Sequence, residues 1–360
     1  MKVVVAMSGG VDSSVAAALL KKEGYQVIGV SMQIWPSNDK EDRFGGCCGV
    51  NAVEDAKRVA HKLGIPHYVM DFRDIFDQKV IADFCREYSA GRTPNPCIRC
   101  NQYIKLGVLL DRAKELGADF IATGHYARVE KDESSGRYLL KKGLDRHKDQ
   151  SYVLYSLTQE QLSHILFPVG NLTKQRVREI AKGLSLHVAA KRESQEICFI
   201  PDDDYPRFIK EYIPQLAMPG TILSEQGIVL GEHLGIPFYT IGQRKGLGIS
   251  AEEPLYVIAI EPERNVIVVG NKERVYGDEL VASRLNWIAI AELKQTITLK
   301  AKIRYLHQEA EAEVTPLDED RVRVKFNKAQ MAITPGQAVV FYKGDVVIGG
   351  GTIEKLSKLN

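Results

Sequence analysis

A chain of 360 residues is long for one domain and comfortable for two or three. Its 44% hydrophobic and 26% charged residues exclude fibrous and disordered classes, and 48 basic against 46 acidic residues leave a formal charge of +2, too balanced to announce a nucleic-acid partner. Six cysteines are too few for a disulfide scaffold, no apolar run reaches the roughly 18 residues of a membrane span, and the opening MKVVVAMSGG does not read as a secretory leader, so a cytoplasmic protein with reduced thiols and no membrane partner is expected.

Residues 3–6 form a β-branched run suited to a buried parallel strand. Ser8-Gly9-Gly10 then turns the chain, and Asp12-Ser13-Ser14 opens a helix with Val15, Ala18 and Leu19 on one side. Lys21 and Lys22 before Gly24 are a basic last turn and a glycine stop. A strand is predicted at 27–30, a helix at 51–63 closed by Gly64, and a strand at 67–70. A helix at 104–116, closed by Gly117, leads to a strand at 120–123, and 172–181 is helical. Alternating strands and helices predict a parallel sheet covered on both faces.

After about residue 200 the texture changes, with Pro201, Pro206, Pro214 and Pro219 marking joints. Short β runs at 255–260 and 266–269 flank a turn, and others follow at 297–306, 311–314, 321–326 and 338–341. Such spacing reads as a small barrel or sandwich. The expected architecture is an α/β N-terminal domain with a Rossmann-like parallel sheet at 1–205, a small mostly-β central domain at 206–275, and a C-terminal β-barrel at 276–360.

Ser8-Gly9-Gly10-Val11-Asp12-Ser13, between a strand and a helix, is the strongest signal in the chain. Two glycines admit a ligand close to the backbone, amides at the helix N-terminus face an anion, and Ser8 and Ser13 offer hydroxyls. The lysine of a Walker loop is absent and the glycine spacing is not that of a dinucleotide fold. The plainer alternative is a strand–helix turn capped by Asp12 or Ser13. Met32 and Gly124 follow their strands at the carboxyl edge of the sheet, where open α/β sheets bind ligands.

Cys97-Ile98-Arg99-Cys100 follows the proline-stiffened Arg92-Thr93-Pro94-Asn95-Pro96. A helix N-terminus and Arg99 are both expected to lower the thiol pKa of Cys100. No second C-x₂-C exists, which disfavours a structural Cys₄ zinc site. Cys85 reads as helix packing, and Cys47-Cys48 has no firm account. Between residues 137 and 192 stand eleven Lys and Arg against four Asp and Glu, leaving the rest of the chain net acidic. A local basic face of that kind suits RNA phosphates.

The phosphate loop resembles the PP-loop of the ATP pyrophosphatase superfamily, whose members cleave ATP to AMP and pyrophosphate. With SGGVDSS, GRTPNPCIRCN, ATGHYAR, KDQSYVLY, ESQEICFI, IGQRKGLG and TPGQAVVFY together, the chain resembles the bacterial tRNA-specific 2-thiouridylases almost end to end. The resemblance implies ATP with Mg²⁺ (whose protein ligands the sequence does not name), adenylation of the wobble uridine at O2, and replacement of AMP by sulfur at C2. It implies ATP contacts at Ala6, Met7, Ser8, Gly9, Gly10, Val11, Asp12, Ser13, Met32 and Gly124. It makes Cys100 the nucleophile and Cys198 the persulfide bearer, pairing as a transient disulfide. Asn95, Pro96 and Cys97 would meet the target base, and His125, Lys148, Asp149, Gln150, Arg304, Tyr305 and Gln337 would contact tRNA.

One position departs from the family pattern. Where many members carry a general acid/base aspartate, this chain has Cys97. Two readings stand: Cys97 moves a proton beside a persulfide relay, or Cys97, Cys100 and Cys198 hold a [4Fe-4S] cluster with one open iron. The implied partners are an anticodon loop and a persulfide donor such as a cysteine desulfurase or its carrier. Two other readings remain at this stage: a PP-loop synthetase acting on a small molecule, and a nucleotide-responsive RNA-binding protein without catalysis.

Overall fold

The computed structural model describes residues 1–34, 50–191, 197–200, 204–214 and 217–354. Cys47, Cys48, Arg192 and Pro201 lie outside them. The chain divides into two compact units. The first comprises residues 1–80, 97–203 and 344–348; the second comprises 81–96, 204–343 and 349–360.

The first unit is built on a five-stranded parallel sheet. β1 (Lys2–Ala6), β2 (Gln26–Gln33), β3 (His67–Asp71), β4 (Phe120–Ala122) and a short β7 (Ile165–Leu166) run in the order β3-β2-β1-β4-β7. Val3 pairs with Val27 on one side and Phe120 on the other, so β1 is central. Val3, Val4 and Val5 are fully buried, as a strand covered on both faces requires. Two helices pack beside this sheet, α1 (Val11–Lys22) and α2 (Val50–Leu63). α1 is buried nearly all round rather than along the predicted face, because Val11, Ala16, Ala17 and Leu20 join Val15 in the core while Leu19 is only partly covered. Between β4 and β7 stands an antiparallel hairpin absent from the predicted elements, β5 (Ala127–Lys131) and β6 (Tyr138–Lys142).

Strand order reverses at β1. From β1 the chain winds outward through α1 to β2 and β3, then returns to lay β4 on β1's other edge. That reversal opens a crevice beyond the carboxyl ends of β1 and β4, where open α/β sheets bind ligands.

The second unit holds two β assemblies. β8 (Gly220–Ser224), β9 (Val229–His233), β10 (Tyr256–Glu261) and β11 (Val266–Gly270) form a four-stranded sheet ordered β10-β11-β8-β9 over a core of Ile222, Tyr239, Val257, Ile260, Ile267 and Val269. β12 (Tyr276–Trp287), β13 (Ile297–Lys302), β14 (Ala310–Pro316), β15 (Val322–Met331), β16 (Ala338–Lys343) and β17 (Val346–Ile353) form an antiparallel barrel. It closes where β12 pairs with β17, Ala282 opposite Ile353 and Trp287 opposite Gly349. In Ile297–Lys302, Leu299 and Ala301 point inward while Thr298 and Lys300 stay exposed, the period-2 pattern of a half-buried strand. The predicted 297–306 strand ends at Lys302, so Arg304 and Tyr305 fall in a loop. The helix Ala82–Ser89 and residues 90–96 also belong to this unit, although they precede it by more than a hundred residues.

Candidate active site

The phosphate loop begins where β1 ends. Gly9 adopts φ +66°, and a Cβ there would sit 2.1 Å from the Ala52 carbonyl oxygen, so only glycine lets the loop lie on α2. Gly10 stands at the N-cap of α1, and no side chain caps that end. The capped-turn alternative is therefore not realised. Ser13 Oγ instead accepts the Ser8 N–H at 3.2 Å, and Ser14 Oγ donates to the Gly10 carbonyl at 2.8 Å. These bonds brace the loop from behind and leave the first-turn amides for an anion.

Asp12 is held in place by distant residues. Tyr126 Oη donates to Asp12 Oδ1 at 2.7 Å, and Lys174 Nζ lies 2.8 Å from both carboxylate oxygens. Gly124 closes the far wall, since a Cβ there would stand 2.6 Å from the Ser13 amide nitrogen. Met32, at the end of β2, is buried with Ala6 and Met7. On the other flank Lys191 Nζ donates to the Gly9 carbonyl at 3.1 Å and to Asp55 Oδ2 at 2.6 Å, while His187 Nε2 lies 2.9 Å from Asp55 Oδ1. Burial pushes the Asp55 carboxyl up, but Lys191 and His187 more than offset it and hold it below the usual range. Lys174 and Lys191 come from the basic stretch, so two of its cations serve the phosphate loop rather than an RNA face. Lys141, Lys142 and Arg146 of that stretch are also engaged, with Glu130, the Gly344 carbonyl and Asp345.

Cys97 and Cys100 lie one turn apart in a helical segment that runs as α-helix at Pro96–Arg99, π-helix at Cys100–Val108 and α-helix again at Leu109–Glu115. The i,i+3 spacing puts both sulfurs on one side of that segment. Cys97 is exposed, Cys100 buried and Cys198 between the two. Because the helix begins at Pro96, Cys97 occupies its first turn and Cys100 the start of the π-helix, a correction to the expected N-terminal position of Cys100. Wide turns of this kind recur at functional sites. Here Gln161 Nε2 donates to the carbonyls of Gln102 at 3.2 Å and Leu106 at 2.7 Å, and Gly107 leaves room that a Cβ, 2.8 Å from the Gln102 oxygen, would take. Asn101 Nδ2 donates to the Val153 carbonyl at 3.2 Å. Phe199, next to Cys198, packs its edge on Phe76 with centroids 5.7 Å apart. Among the described residues no three His, Cys, Asp or Glu side chains gather where a metal would bind.

The expected RNA contacts fall into two kinds. Asp149 Oδ1 accepts the N–H groups of Gly143 at 3.0 Å and Ser151 at 3.1 Å, and Gln150 Oε1 accepts the Tyr126 N–H at 3.0 Å. These two side chains shape the turn that carries the half-exposed Lys148. His125 is buried, its Nδ1 2.7 Å from Thr123 Oγ1; burial, with Lys105 adding to it, lowers its pKa to about 3. It is therefore a neutral ring. In the second unit Arg304 donates to the Met331 carbonyl at 3.1 Å, and Lys302 Nζ stands 5.9 Å from the Tyr305 ring centre. Asn95 is half-exposed. Gln337 Nε2 donates to the carbonyls of Thr93 at 2.9 Å and Pro94 at 3.3 Å, and the side chain is half-exposed.

The chain's relatives place this geometry in a family. Over 356 residues it is 58% identical to "tRNA-specific 2-thiouridylase MnmA 2" of Caldanaerobacter subterraneus subsp. tengcongensis, with 98% of each chain covered. The chain belongs to the tRNA-specific 2-thiouridylase family. Similar relatives are the MnmA of Acetivibrio thermocellus, 54% identical over 98% of this chain and 99% of that one, and the MnmA of Heliobacterium modesticaldum, 58% identical over 98% and 92%. Family models for a tRNA methyl transferase HUP domain match residues 1–202, its PRC-barrel domain 206–271, and an aminomethyltransferase β-barrel domain 277–353.

Sequence reasoning missed Tyr126, Lys174, Asp55 and Lys191 at the phosphate loop. A weak signal existed for Tyr126, two residues beyond Gly124. None existed for the others.

Proposed function

We propose that the protein is an ATP-dependent tRNA 2-thiouridylase that adenylates the wobble uridine and delivers sulfur to its C2. The observation that carries this reading is that one unit holds an uncapped phosphate loop flanked by Lys191 together with the Cys100 helix. The chain around them matches named 2-thiouridylases over 98% of its length.

ATP lies with its phosphates at residues 8–13 and over the carboxyl ends of β1 and β4, near Met32 and Gly124. Mg²⁺ would be held largely by the nucleotide and would supply charge neutralisation to the triphosphate. The uridine O2 attacks the α-phosphorus, and pyrophosphate leaves past the α1 amides and Lys191, which stabilise its growing charge. Sulfur arrives as a persulfide on Cys198 from a cysteine desulfurase or its carrier. The terminal sulfur forms a bond to C2, and AMP departs with the former O2. The Cys100 thiolate then attacks Cys198 Sγ, which breaks the persulfide S–S bond, leaves C2=S on the base and forms a Cys100–Cys198 disulfide that a cellular thiol reduces. In this reading Cys97 moves a proton. The alternative, a [4Fe-4S] cluster held by Cys97, Cys100 and Cys198, is read independently by iron content and visible absorption after anaerobic purification.

Domains at 1–205, 206–275 and 276–360 divide this work between ATP chemistry and tRNA contact. Lys148, Asn95, Arg304 and Tyr305 are the proposed contacts, with Asp149 and Gln150 shaping the Lys148 turn, Pro96 shaping the base loop and His125 acting as a neutral hydrogen-bonding group. An anticodon uridine is already nearly unpaired, so its extrusion costs little. The cytoplasm supplies tRNA and reduced thiols, and among the described residues no helix is long and apolar enough to cross a membrane.

The test is formation of 2-thiouridine from unmodified tRNA, ATP and a persulfide donor. Cys100→Ser is expected to abolish product while tRNA affinity stays within about 3-fold, since a Ser hydroxyl replaces the thiol in nearly the same volume. Product from the variant would mean that Cys100 is not the nucleophile. ATP turnover on a small acceptor without tRNA, or tRNA binding without product, would favour the synthetase or the non-catalytic reading.

A further inference from the structure

We propose that Arg92, Glu87, Glu354 and Gln337 form a clamp that positions the catalytic-cysteine segment for sulfur transfer; the inference rests on the thiolation reading above. Gly91 turns at φ +65°, with Ile260 and Pro262 so close that a Cβ would meet each at 2.8 Å. From there Arg92 is seized by both ends. Its backbone N–H donates to the Glu87 carbonyl at 2.9 Å. Its guanidinium donates to Glu87 Oε2 at 2.7 Å and to Glu354 Oε2 at 2.5 Å. Only 15% of the Arg92 side chain and 7% of the Glu87 side chain are exposed. The next residue is held on each polar backbone group: Thr93 N–H donates to the Pro335 carbonyl at 2.8 Å, and Gln337 Nε2 donates to the carbonyls of Thr93 and Pro94. Gly336, at φ +92°, lets that strap lie against Thr93, for a Cβ would stand 2.9 Å from its nitrogen.

Pro94 and Pro96 add fixed φ angles and lack N–H groups, so residues 92–96 have few ways to move. Cys97 follows at once. A buried ion pair of this kind is poor as a stabiliser, because apolar residues of similar volume do as well, but it defines one geometry. Every clamp partner apart from Glu87 comes from the last eighty residues, and none belongs to the phosphate loop. Loss of the clamp therefore loosens the base loop and Cys97, while the phosphate loop keeps its own bracing bonds. An adenylated uridine that sulfur fails to reach loses its AMP to water.

The experiment compares Gln337→Leu and Arg92→Lys with wild type in single turnover, measuring AMP and 2-thiouridine together at saturating tRNA and ATP. The expected result is thiolation slowed about 30–100-fold, AMP formation slowed less than thiolation, and several AMP released per 2-thiouridine, since a shift of about 1 Å in a reacting group costs about 100-fold. Hydrogen exchange across residues 92–98 quickens in both variants, and tRNA affinity holds. Arg92→Lys breaks the guanidinium bridge between Glu87 and Glu354, although Arg284 still reaches Glu87 at 3.3 Å, so Gln337→Leu, with its melting temperature recorded, decides the matter. AMP and thiouridine falling in parallel, or lost tRNA affinity that accounts for the deficit, would overturn the clamp while leaving the thiolation reading intact. A wild-type protein that makes no 2-thiouridine at all would sink that reading, and the clamp's role with it.

Discussion

Lys174 and Lys191 lie seventeen residues apart in one basic stretch, yet they meet the phosphate loop differently. Lys174 is spent on Asp12 with both carboxylate oxygens at 2.8 Å. Lys191 reaches the Gly9 carbonyl from a more exposed position, 39% against 11% for Lys174, and is the cation available to an incoming phosphate. A charge-assisted hydrogen bond of this type contributes about 1.5 kcal/mol or more, so Lys191→Ala is expected to raise the KM for ATP about 10-fold or more, with the KM for tRNA unchanged, in a pyrophosphate-release assay. Lys174→Met is expected instead to lower the melting temperature, because it leaves the half-buried Asp12 carboxylate without its cation and with Tyr126 as donor. His125 supplies a second residue-scale prediction. Its folded pKa of about 3 lies below the ordinary value of 6.5. The unfolded ring takes up its proton first as pH falls, so the contribution of His125 is complete above about pH 6.5 and shrinks toward pH 3. Between about pH 7 and 5.5, wild type should lose about 1 kcal/mol more stability than His125→Asn in paired melting curves.

The most consequential element is the helical segment that carries Cys97 and Cys100. Its π-helical stretch depends on Gly107 and on the two carbonyls that Gln161 satisfies. Gly107→Ala would force the Gln102 carbonyl outward, and a loss of about 1–3 kcal/mol in denaturant unfolding is expected, with thiolation impaired. Helix over 104–116 was legible because its later half is amphipathic and glycine-closed. The π-helix was not, because nine residues of wide turns leave too short a periodicity to tell from an α-helix. The phosphate loop was fully legible, since its strand, glycines and helix are local. Its outer partners were not: Lys174 lies 162 residues from Asp12, and Lys191 lies 182 from Gly9. The β5–β6 hairpin escaped for another reason. Asp132, Ser134, Ser135 and Gly136 form a turn signal there, but the basic residues beyond it read more strongly as a surface.

At the scale of the molecule, the formal charge of +2 averages a basic stretch over an acidic remainder. The structure refines that picture, because several of the basic residues are engaged within the first unit. The three-part architecture was readable from the change from strand–helix alternation to closely spaced strands. What could not be read is that residues 81–96, early in the chain, pack with its C-terminal half. Such contacts leave no local trace. They matter because Arg92, Thr93 and Pro94 lead directly to Cys97. The central claim is that ATP activates the uridine by adenylation at O2. It is tested most directly with tRNA carrying ¹⁸O at the C2 carbonyl of the wobble uridine, incubated with wild-type protein, ATP and a persulfide donor. The account predicts one AMP per 2-thiouridine, with the ¹⁸O recovered in AMP. Label recovered in water or inorganic phosphate, with AMP unlabelled, would contradict it.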